Sequence, residues 1–145
     1  VIADEPTTAL DVIVQDQILR LMKRLQSELN LSMMYISHDL SVIAQTCKSL
    51  AIMYAGKIVE YSDIVTLFKN PLHPYARGLI EAFPSILGER RKLTSISGSP
   101  PNLLNPPKGC RFHPRCPISL EVCRKEEPKL VEVEQNHYVA CHQIT

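Results

Sequence analysis

The first fifty residues alternate between apolar and polar blocks in the pattern of a strand, a helix and a second strand. An apolar run at residues 1–3 ends at the polar turn Asp4-Glu5-Pro6. Between residues 14 and 29 apolar side chains recur every three or four positions, which predicts a helix with one buried face, capped by Asp11 and ended at Asn30. Residues 32–36 predict another strand. Strand, helix and strand within about thirty-five residues indicate a βαβ unit with a parallel sheet, and therefore an α/β fold.

Shorter elements follow. Residues 50–54 and 57–60 flank Ala55-Gly56 and predict a hairpin, and residues 63–69 predict a short helix capped by Asp63. A further helix is predicted to begin at Pro74 and to end at Pro84. From residue 85 to residue 109, prolines, glycines and the cluster Arg90-Arg91-Lys92 predict an extended, solvated linker.

Composition limits the possible functions. The chain has 145 residues and 45% hydrophobic content, enough for one modest core and a small appended module. Its 16 basic and 15 acidic residues give a net charge of +1, which argues against a nucleic-acid partner. The sequence has no membrane-length apolar run and no signal-peptide pattern. Because it begins inside a predicted strand without Met, we expect it to be the C-terminal portion of a longer protein.

Three candidate catalytic side chains follow the two predicted strands. Asp4 leaves the first strand and is suited to bind Mg²⁺, which prefers oxygen ligands. Glu5 points the other way and is suited to orient an attacking water. His38 follows the second strand at the same sheet edge, so a parallel sheet brings it near the same ligand. Taken alone, the two carboxylates fit a solvated acidic turn equally well, and His38 fits a helix cap.

Four of the five cysteines lie close together in the last thirty-six residues: Cys110, Cys116, Cys123 and Cys141. Structural zinc usually has C-x₂₋₄-C pairs, which are absent, although His113 and His142 could serve as additional ligands. An iron–sulfur cluster needs only four thiolates brought together, and plain reduced thiols are the third possibility. Disulfides conflict with a reducing compartment. Cys47, by contrast, is expected on the buried face of the helix that follows Asp39, as a structural thiol.

Several of these motifs resemble one family. Asp4-Glu5 and Thr8-Ala9-Leu10-Asp11 resemble the Walker B motif and D-loop of ABC-type ATPases, and Ile36-Ser37-His38-Asp39 resembles their switch-histidine loop. Residues 70–79 resemble the His-Pro-Tyr segment of the ATP-binding subunits of oligopeptide and dipeptide permeases and their nickel-import relatives. The run Gly109-Cys110-Arg111-Phe112-His113-Pro114-Arg115-Cys116, together with Cys123 and Cys141, is similar to the C-terminal module of the same subunits.

The resemblance implies an α/β fold: the C-terminal part of a P-loop NTPase parallel sheet plus a small irregular Cys-rich C-terminal module. It divides the chain into residues 1–71, the ATPase part; residues 72–109, the His-Pro-Tyr helix and linker; and residues 110–145, the iron–sulfur-type module. The sequence contains neither a G-x-x-x-x-G-K-[ST] loop nor the ABC signature. We therefore expect no ATP hydrolysis from this chain alone.

The resemblance also implies a function, namely ATP hydrolysis that powers oligopeptide or dipeptide uptake by an ABC importer. Glu5 and His38 would be catalytic, with His38 at the γ-phosphate. Asp4 would hold Mg²⁺, and Asp11 would lie at the contact with a second ATP-binding subunit. The four tail cysteines would hold a [4Fe–4S] cluster, with Zn²⁺ as the alternative.

Further partners implied are transmembrane permease subunits and, indirectly, an extracytoplasmic peptide-binding protein, with the chain peripheral at the cytoplasmic face of the membrane. The pair of ATP-binding subunits could be a homodimer or a heterodimer. Two other classes fit parts of the sequence. A soluble ABC ATPase of DNA maintenance would share the Asp-Glu and His elements, and a metal-binding regulatory module would need only the tail. The His-Pro-Tyr segment argues against the first, and the Asp4, Glu5 and His38 set argues against the second.

Overall fold

A computed structural model describes residues 1–82 and 96–144. It consists of two compact units, Val1–Lys48 and Ser49–Thr145. Both units contain helices and strands, so the predicted mixed α/β character is confirmed. The expected end of the His-Pro-Tyr helix at Pro84 and the cluster Arg90-Arg91-Lys92 lie outside the described residues.

The first unit is the predicted strand, helix and strand followed by a short helix. Its elements are β1 (Ile2–Asp4), α1 (Val12–Glu28), β2 (Met34–Ile36) and α2 (Leu40–Thr46). Strands β1 and β2 pair in parallel, with Asp4 opposite Ile36. This register brings the two chain segments that leave the strands to the same edge of the sheet.

Local chemistry fixes both helix starts in this unit. Asp11 Oδ1 accepts hydrogen bonds from the amides of Ile13 and Val14 at 2.9 and 3.0 Å, so Asp11 is the N-cap predicted for α1. Asn30 follows the helix with φ +50°, the left-handed conformation that asparagine tolerates better than most residues. Asp39 caps α2 in the same way as Asp11 caps α1.

The apolar faces of these helices differ from the prediction in detail. Leu19 is the buried residue of α1, whereas Leu29, expected on the buried face, is largely exposed. In the described part of the unit α1 packs chiefly against the short helix α2, which leaves much of its predicted apolar face uncovered. Cys47 lies just beyond α2 as its C-cap and is half-buried, so the expected position inside the helix is wrong by one residue.

The second unit is built on an antiparallel sheet. Its elements are β3 (Ser49–Tyr54), β4 (Lys57–Asp63), α3 (Ile64–Lys69), α4 (Pro74–Glu81), β5 (Val131–Glu134) and β6 (His137–Val139). The strand order is β3-β4-β6-β5, with every neighbouring pair antiparallel. Ala55 and Gly56 form the predicted hairpin turn with φ +48° and +79°, which matches a type I′ turn. Asp63 caps α3 through the amide of Thr66.

The tail is more regular than expected. We expected an irregular module after residue 110, but the tail contains the hairpin of β5 and β6. The reason is visible in the sequence, because Val131-Glu132-Val133-Glu134 alternates apolar and polar residues and Asn136 supplies a turn with φ +60°. The segments that carry Cys110, Cys116 and Cys123 contain only turns and two short 3₁₀ helices, His113–Arg115 and Val122–Arg124.

An aromatic cluster holds this unit together. The core contains Ile52, Tyr54, Val59, Leu67, Ala76 and Phe112. The rings of Tyr54, Tyr75 and Phe112 pack against one another with centroids 4.7 to 5.4 Å apart. Edge-on contacts of this kind add roughly 0.5–1.5 kcal/mol each beyond the area they bury. The cluster joins the hairpin, α4 and the cysteine-containing loop.

Packing groups the residues differently from the predicted domain division. The sequence placed boundaries at residues 71 and 109, whereas β4 and β6 are hydrogen-bonded neighbours in one sheet. Residues 49–63 and the tail therefore belong to one compact unit. The assignment of separate functions to residues 1–71, 72–109 and 110–145 stays a prediction.

Candidate functional site

The parallel sheet of the first unit brings Glu5 and His38 together. The amide of Glu5 donates to the Ile36 carbonyl at 2.8 Å, which extends the strand pairing by one residue. His38 Nδ1 lies 2.8 Å from Glu5 Oε1, and the His38 amide donates to the same oxygen at 3.2 Å. Two residues thirty-three positions apart therefore form one polar pair at the sheet edge, as the strand arrangement predicted.

Thr8 also contacts Glu5, and this contact was not predicted from the sequence. Its hydroxyl donates to Glu5 Oε2 at 2.9 Å. Both carboxylate oxygens are thus held, one by His38 and the other by Thr8. Glu5 itself has φ +46°, and a non-glycine residue in this region is uncommon and is often found where backbone geometry serves function.

The contacts between Glu5 and His38 change the protonation of both groups. The hydrogen bond from His38, followed by that from Thr8, lowers the pKa of Glu5. The same bond from Glu5 raises the pKa of His38. Glu5 is therefore held as a carboxylate, a state that orients a water through hydrogen bonds better than it abstracts a proton, since an efficient base has a pKa near the working pH.

Asp4 and Asp11 occupy different positions. Asp4 is the last residue of β1 and is exposed to solvent, so its carboxylate is accessible to a cation. Asp11 uses Oδ1 to cap α1. Of the four predicted residues in the first unit, the structure brings Glu5 and His38 into contact and gives Asp11 a capping role, while Asp4 is next to Glu5 in sequence.

The four tail cysteines belong to the second unit. The amide of Cys110 donates to the Cys123 carbonyl at 2.8 Å, which joins the two cysteine loops. Cys123 and Cys141 are buried, Cys110 and Cys116 are half-buried, and none of the four is in a disulfide within the described residues. Burial is the main cause that raises the pKa of Cys110, Cys116 and Cys141, and neighbouring cysteines raise each of the three further.

The position of the cysteines in one unit does not by itself create a site for a single metal ion. Within residues 1–82 and 96–144, no group of three or more His, Cys, Asp or Glu side chains is arranged to hold a single metal ion. The two histidines considered for zinc each contact a backbone carbonyl: His113 Nδ1 lies 2.9 Å from Cys110 O, and His142 Nε2 lies 3.0 Å from Glu126 O.

A buried carboxylate, which was not predicted from the sequence, forms the polar centre of the second unit. Glu60 is fully buried and accepts the amides of Leu72 and His73 at 2.8 and 2.7 Å. His137 Nε2 lies 2.7 Å from Glu60 Oε1. Glu60 therefore ties β4 to the segment before α4 and to β6.

His73 is packed in the interior of the second unit. It is 1% exposed, and its Nδ1 accepts the Tyr75 amide at 3.1 Å, which makes it the N-cap of α4. Burial lowers the pKa of His73 to about 4. The ring is therefore neutral at physiological pH, as its acceptor role in the cap requires.

No helix in the described ranges has both the length and the apolar character needed to cross a bilayer. Carboxylates and a histidine at the carboxyl ends of parallel strands, in a mixed α/β chain, are typical of nucleotide-binding α/β proteins. The comparisons with known proteins identify a particular group within this class.

Residues 59–123 match the family model described as "Oligopeptide/dipeptide transporter, C-terminal region". The chain is 46% identical over 141 residues to the dipeptide transport ATP-binding protein DppD of Caldanaerobacter subterraneus subsp. tengcongensis, which covers 97% of this chain and 43% of the relative. It is 46% identical over 140 residues to the oligopeptide transport ATP-binding protein OppD of Escherichia coli, with 97% and 41% covered. The oligopeptide transport ATP-binding protein AppF of Bacillus subtilis is 42% identical over 145 residues, with 98% and 44% covered.

The resemblance inferred from the motifs is thus confirmed: nearly the whole chain is similar to ATP-binding proteins of oligopeptide and dipeptide transport, and residues 59–123 match the C-terminal region of that family. It spans a little over two fifths of the length of these relatives. The matched family region begins in β4 and includes Cys110, Cys116 and Cys123.

Proposed function

We propose that this chain is part of an ATP-hydrolysing subunit that powers the uptake of oligopeptides or dipeptides by an ABC importer. The observation that carries the proposal is the contact between Glu5 and His38 at the carboxyl ends of two parallel strands. Relatives named as peptide-transport ATP-binding proteins support the choice of substrate.

Each residue of the first unit then has a role in phosphoryl transfer. The exposed Asp4 carboxylate fits Mg²⁺, because this ion binds proteins through one or two carboxylates together with substrate phosphates. Bound Mg²⁺ neutralises charge on the phosphates. Glu5 orients the attacking water, with its carboxylate held by Thr8 and His38. His38 contacts the γ-phosphate through the part of its ring that does not face Glu5.

The partners follow from the same assignment. A second ATP-binding subunit, identical or homologous, completes the nucleotide site, and Asp11 lies near that contact. Transmembrane permease subunits receive the movement at the cytoplasmic face of the membrane, and a peptide-binding protein delivers the substrate from the other side. Nickel complexes are the alternative cargo, as the nickel-import relatives of the family suggest.

The test replaces Glu5 by glutamine in the protein extended upstream to include a phosphate-binding loop. We expect Mg-ATP binding to persist and hydrolysis to fall by about 10²-fold or more, because the amide orients water poorly. Glu28→Gln is the control, since Glu28 is a solvent-exposed carboxylate on α1. A Glu5→Gln protein with wild-type turnover would contradict the assignment.

We further propose that Cys110, Cys116, Cys123 and Cys141 hold a [4Fe–4S] cluster. The donor chemistry supports this proposal, because the four cysteines lie in one unit, and charge repulsion from neighbouring cysteines adds to burial in raising the pKa of Cys110, Cys116 and Cys141. Such repulsion between thiolates is relieved by a cationic iron centre. When bound, a cluster of this type supplies either structural cross-linking or one-electron chemistry.

The cluster proposal is tested on protein prepared without oxygen. We expect a brown protein with broad absorption around 400 nm and roughly equal iron and sulfide. Single Cys→Ser changes at the four positions should remove the cluster and loosen the tail, since metal binding contributes folding free energy. Cys47→Ser is the control and should have no effect. Stoichiometric zinc instead of iron would favour the zinc alternative, and freely reactive thiols with no metal would refute both.

A further inference from the structure

Gly109 lies where the two cysteine loops are in contact. It immediately precedes Cys110, whose amide donates to the Cys123 carbonyl at 2.8 Å. Its φ is +69°, a conformation that L side chains rarely adopt. The backbone therefore turns sharply just before the first cysteine of the tail.

The space at Gly109 is closed by backbone and not by mobile side chains. A Cβ atom on this residue would overlap the Cys123 carbonyl oxygen and lie 2.9 Å from Arg124 C and 3.0 Å from Lys125 N. Backbone atoms cannot rotate away as a long side chain does. Any side chain at this position must therefore separate the Cys110 loop from the Cys123 turn or distort both.

Gly98 provides a comparison within the same chain. Its φ is +77°, close to that of Gly109, but the nearest atoms to an added Cβ are side-chain atoms of Arg115 at 3.5 to 3.9 Å. Such distances are ordinary van der Waals contacts. Alanine at position 98 thus pays for the left-handed backbone, roughly 1–2 kcal/mol, without a steric clash.

We infer that Gly109 is the positioning residue that brings the Cys110 and Cys123 thiols together, so that filling its side-chain position prevents the four-cysteine site from forming. The inference rests on the proposed cluster for its metal arm. It also predicts that the Cys110 and Cys123 thiols lie close together in the metal-free protein, and this prediction can be tested without any metal.

The first experiment measures metal uptake by the full chain. Wild type, Gly109→Ala and Gly98→Ala are reconstituted anaerobically with iron and sulfide, and iron content and absorption around 400 nm are measured. We expect Gly98→Ala to load like wild type and Gly109→Ala to hold about tenfold less iron or lower still, within the range seen when groups supporting metal ligands are removed.

The second experiment needs no metal. In a background with Cys47, Cys116 and Cys141 all replaced by Ser, only Cys110 and Cys123 can react, and dibromobimane becomes fluorescent only when both of its arms are bound. We expect cross-linking in the parent and in the Gly98→Ala version, and a clear loss in the Gly109→Ala version, because the added Cβ overlaps the Cys123 carbonyl and must displace one of the two loops.

The outcomes separate the two proposals. If wild type takes up no iron but the cross-linking pattern is as expected, the cluster proposal fails and the role of Gly109 stands. Equal iron content and equal cross-linking in Gly109→Ala and Gly98→Ala would overturn that role, as would a parent that fails to cross-link. Near-UV circular dichroism of the tyrosines monitors the fold. A Gly109→Ala chain that is unfolded while Gly98→Ala is folded would also overturn the positioning role, because Gly109 would then be needed for the folding of the whole unit.

Discussion

Thr8 and His38 hold opposite oxygens of the same carboxylate: the Thr8 hydroxyl donates to Glu5 Oε2 at 2.9 Å, and His38 Nδ1 lies 2.8 Å from Glu5 Oε1. A carboxylate held at both oxygens cannot rotate about its last bond. The direction in which Glu5 presents its remaining lone pairs is therefore set by the four-residue turn that begins at Glu5 and by the segment that follows β2.

The first prediction concerns Thr8. In the extended protein, Thr8→Val should lower the kcat of ATP hydrolysis by a few-fold to about tenfold with little change in KM, since it removes one solvent-exposed hydrogen bond to a charged group. Thr8→Ser keeps the hydroxyl and should retain most of the activity. Steady-state kinetics of the two variants decide the matter, and equal loss in both would show that the methyl group, and not the hydroxyl, is important.

The second prediction concerns His38. His38→Ala should impair hydrolysis more than ATP affinity, because a γ-phosphate contact contributes most when charge moves in the transition state. The His38 amide still reaches Glu5 Oε1 in this variant, so Glu5 keeps one of its supports. ATPase rates, nucleotide binding and peptide uptake should be measured together. Unchanged hydrolysis and uptake would leave His38 with only a structural role.

The third prediction concerns pH and His73. Folding lowers the pKa of His73 from 6.5 to about 4. Between these two pH values the His73 ring is protonated in the unfolded chain and neutral in the folded chain. The free energy of unfolding should thus have its full value above pH 6.5. It should decrease at lower pH, by on the order of 3 kcal/mol at pH 4. Urea unfolding followed by circular dichroism between pH 7 and pH 4 measures this change.

The control for that experiment is His73→Asn. Asparagine accepts the Tyr75 amide as an N-cap but does not titrate. The variant should therefore show a smaller decrease in the free energy of unfolding between pH 6.5 and pH 4 than wild type. A decrease as steep as that of wild type would assign the effect to other groups.

The fourth prediction concerns Glu60. Glu60→Ala leaves the buried His73 amide, the part-buried Leu72 amide and the His137 ring without their partner, and we expect the free energy of unfolding to fall by about 3–5 kcal/mol. Glu134→Ala is the matched control on an exposed strand position and should change it by less than about 0.5 kcal/mol. Similar effects of the two changes would contradict the central role of the buried carboxylate.

Features set by neighbouring residues were predictable from the sequence. Asp11, Asp39 and Asp63 cap helices because their carboxylates reach amides only two or three positions away. The hairpin turn at Ala55-Gly56 is equally local. The contact of Glu5 with His38 was also predictable, since the βαβ pattern determines that both strands end at the same sheet edge.

Features set by distant pairing were not predictable. Glu60 and His137 are separated by 77 positions, and nothing near either residue in the sequence indicates the other. The pairing of β6 with β4 depends on the same long-range packing. Thr8 was missed for a different reason: a hydroxyl in a polar turn has many possible partners, and only the left-handed backbone of Glu5 selects this one.

The pairing of β4 with β6 also determines how the chain tolerates shortening. Residues 137–139 occupy the side of β4 that faces away from β3, and β5 in turn pairs with β6. A chain cut before residue 131 would leave the backbone amides and carbonyls along that side of β4 open to strands from other molecules. Loss of the last fifteen residues should therefore cause self-association at high concentration. This effect depends on the backbone of the tail and is independent of any metal that its cysteines hold.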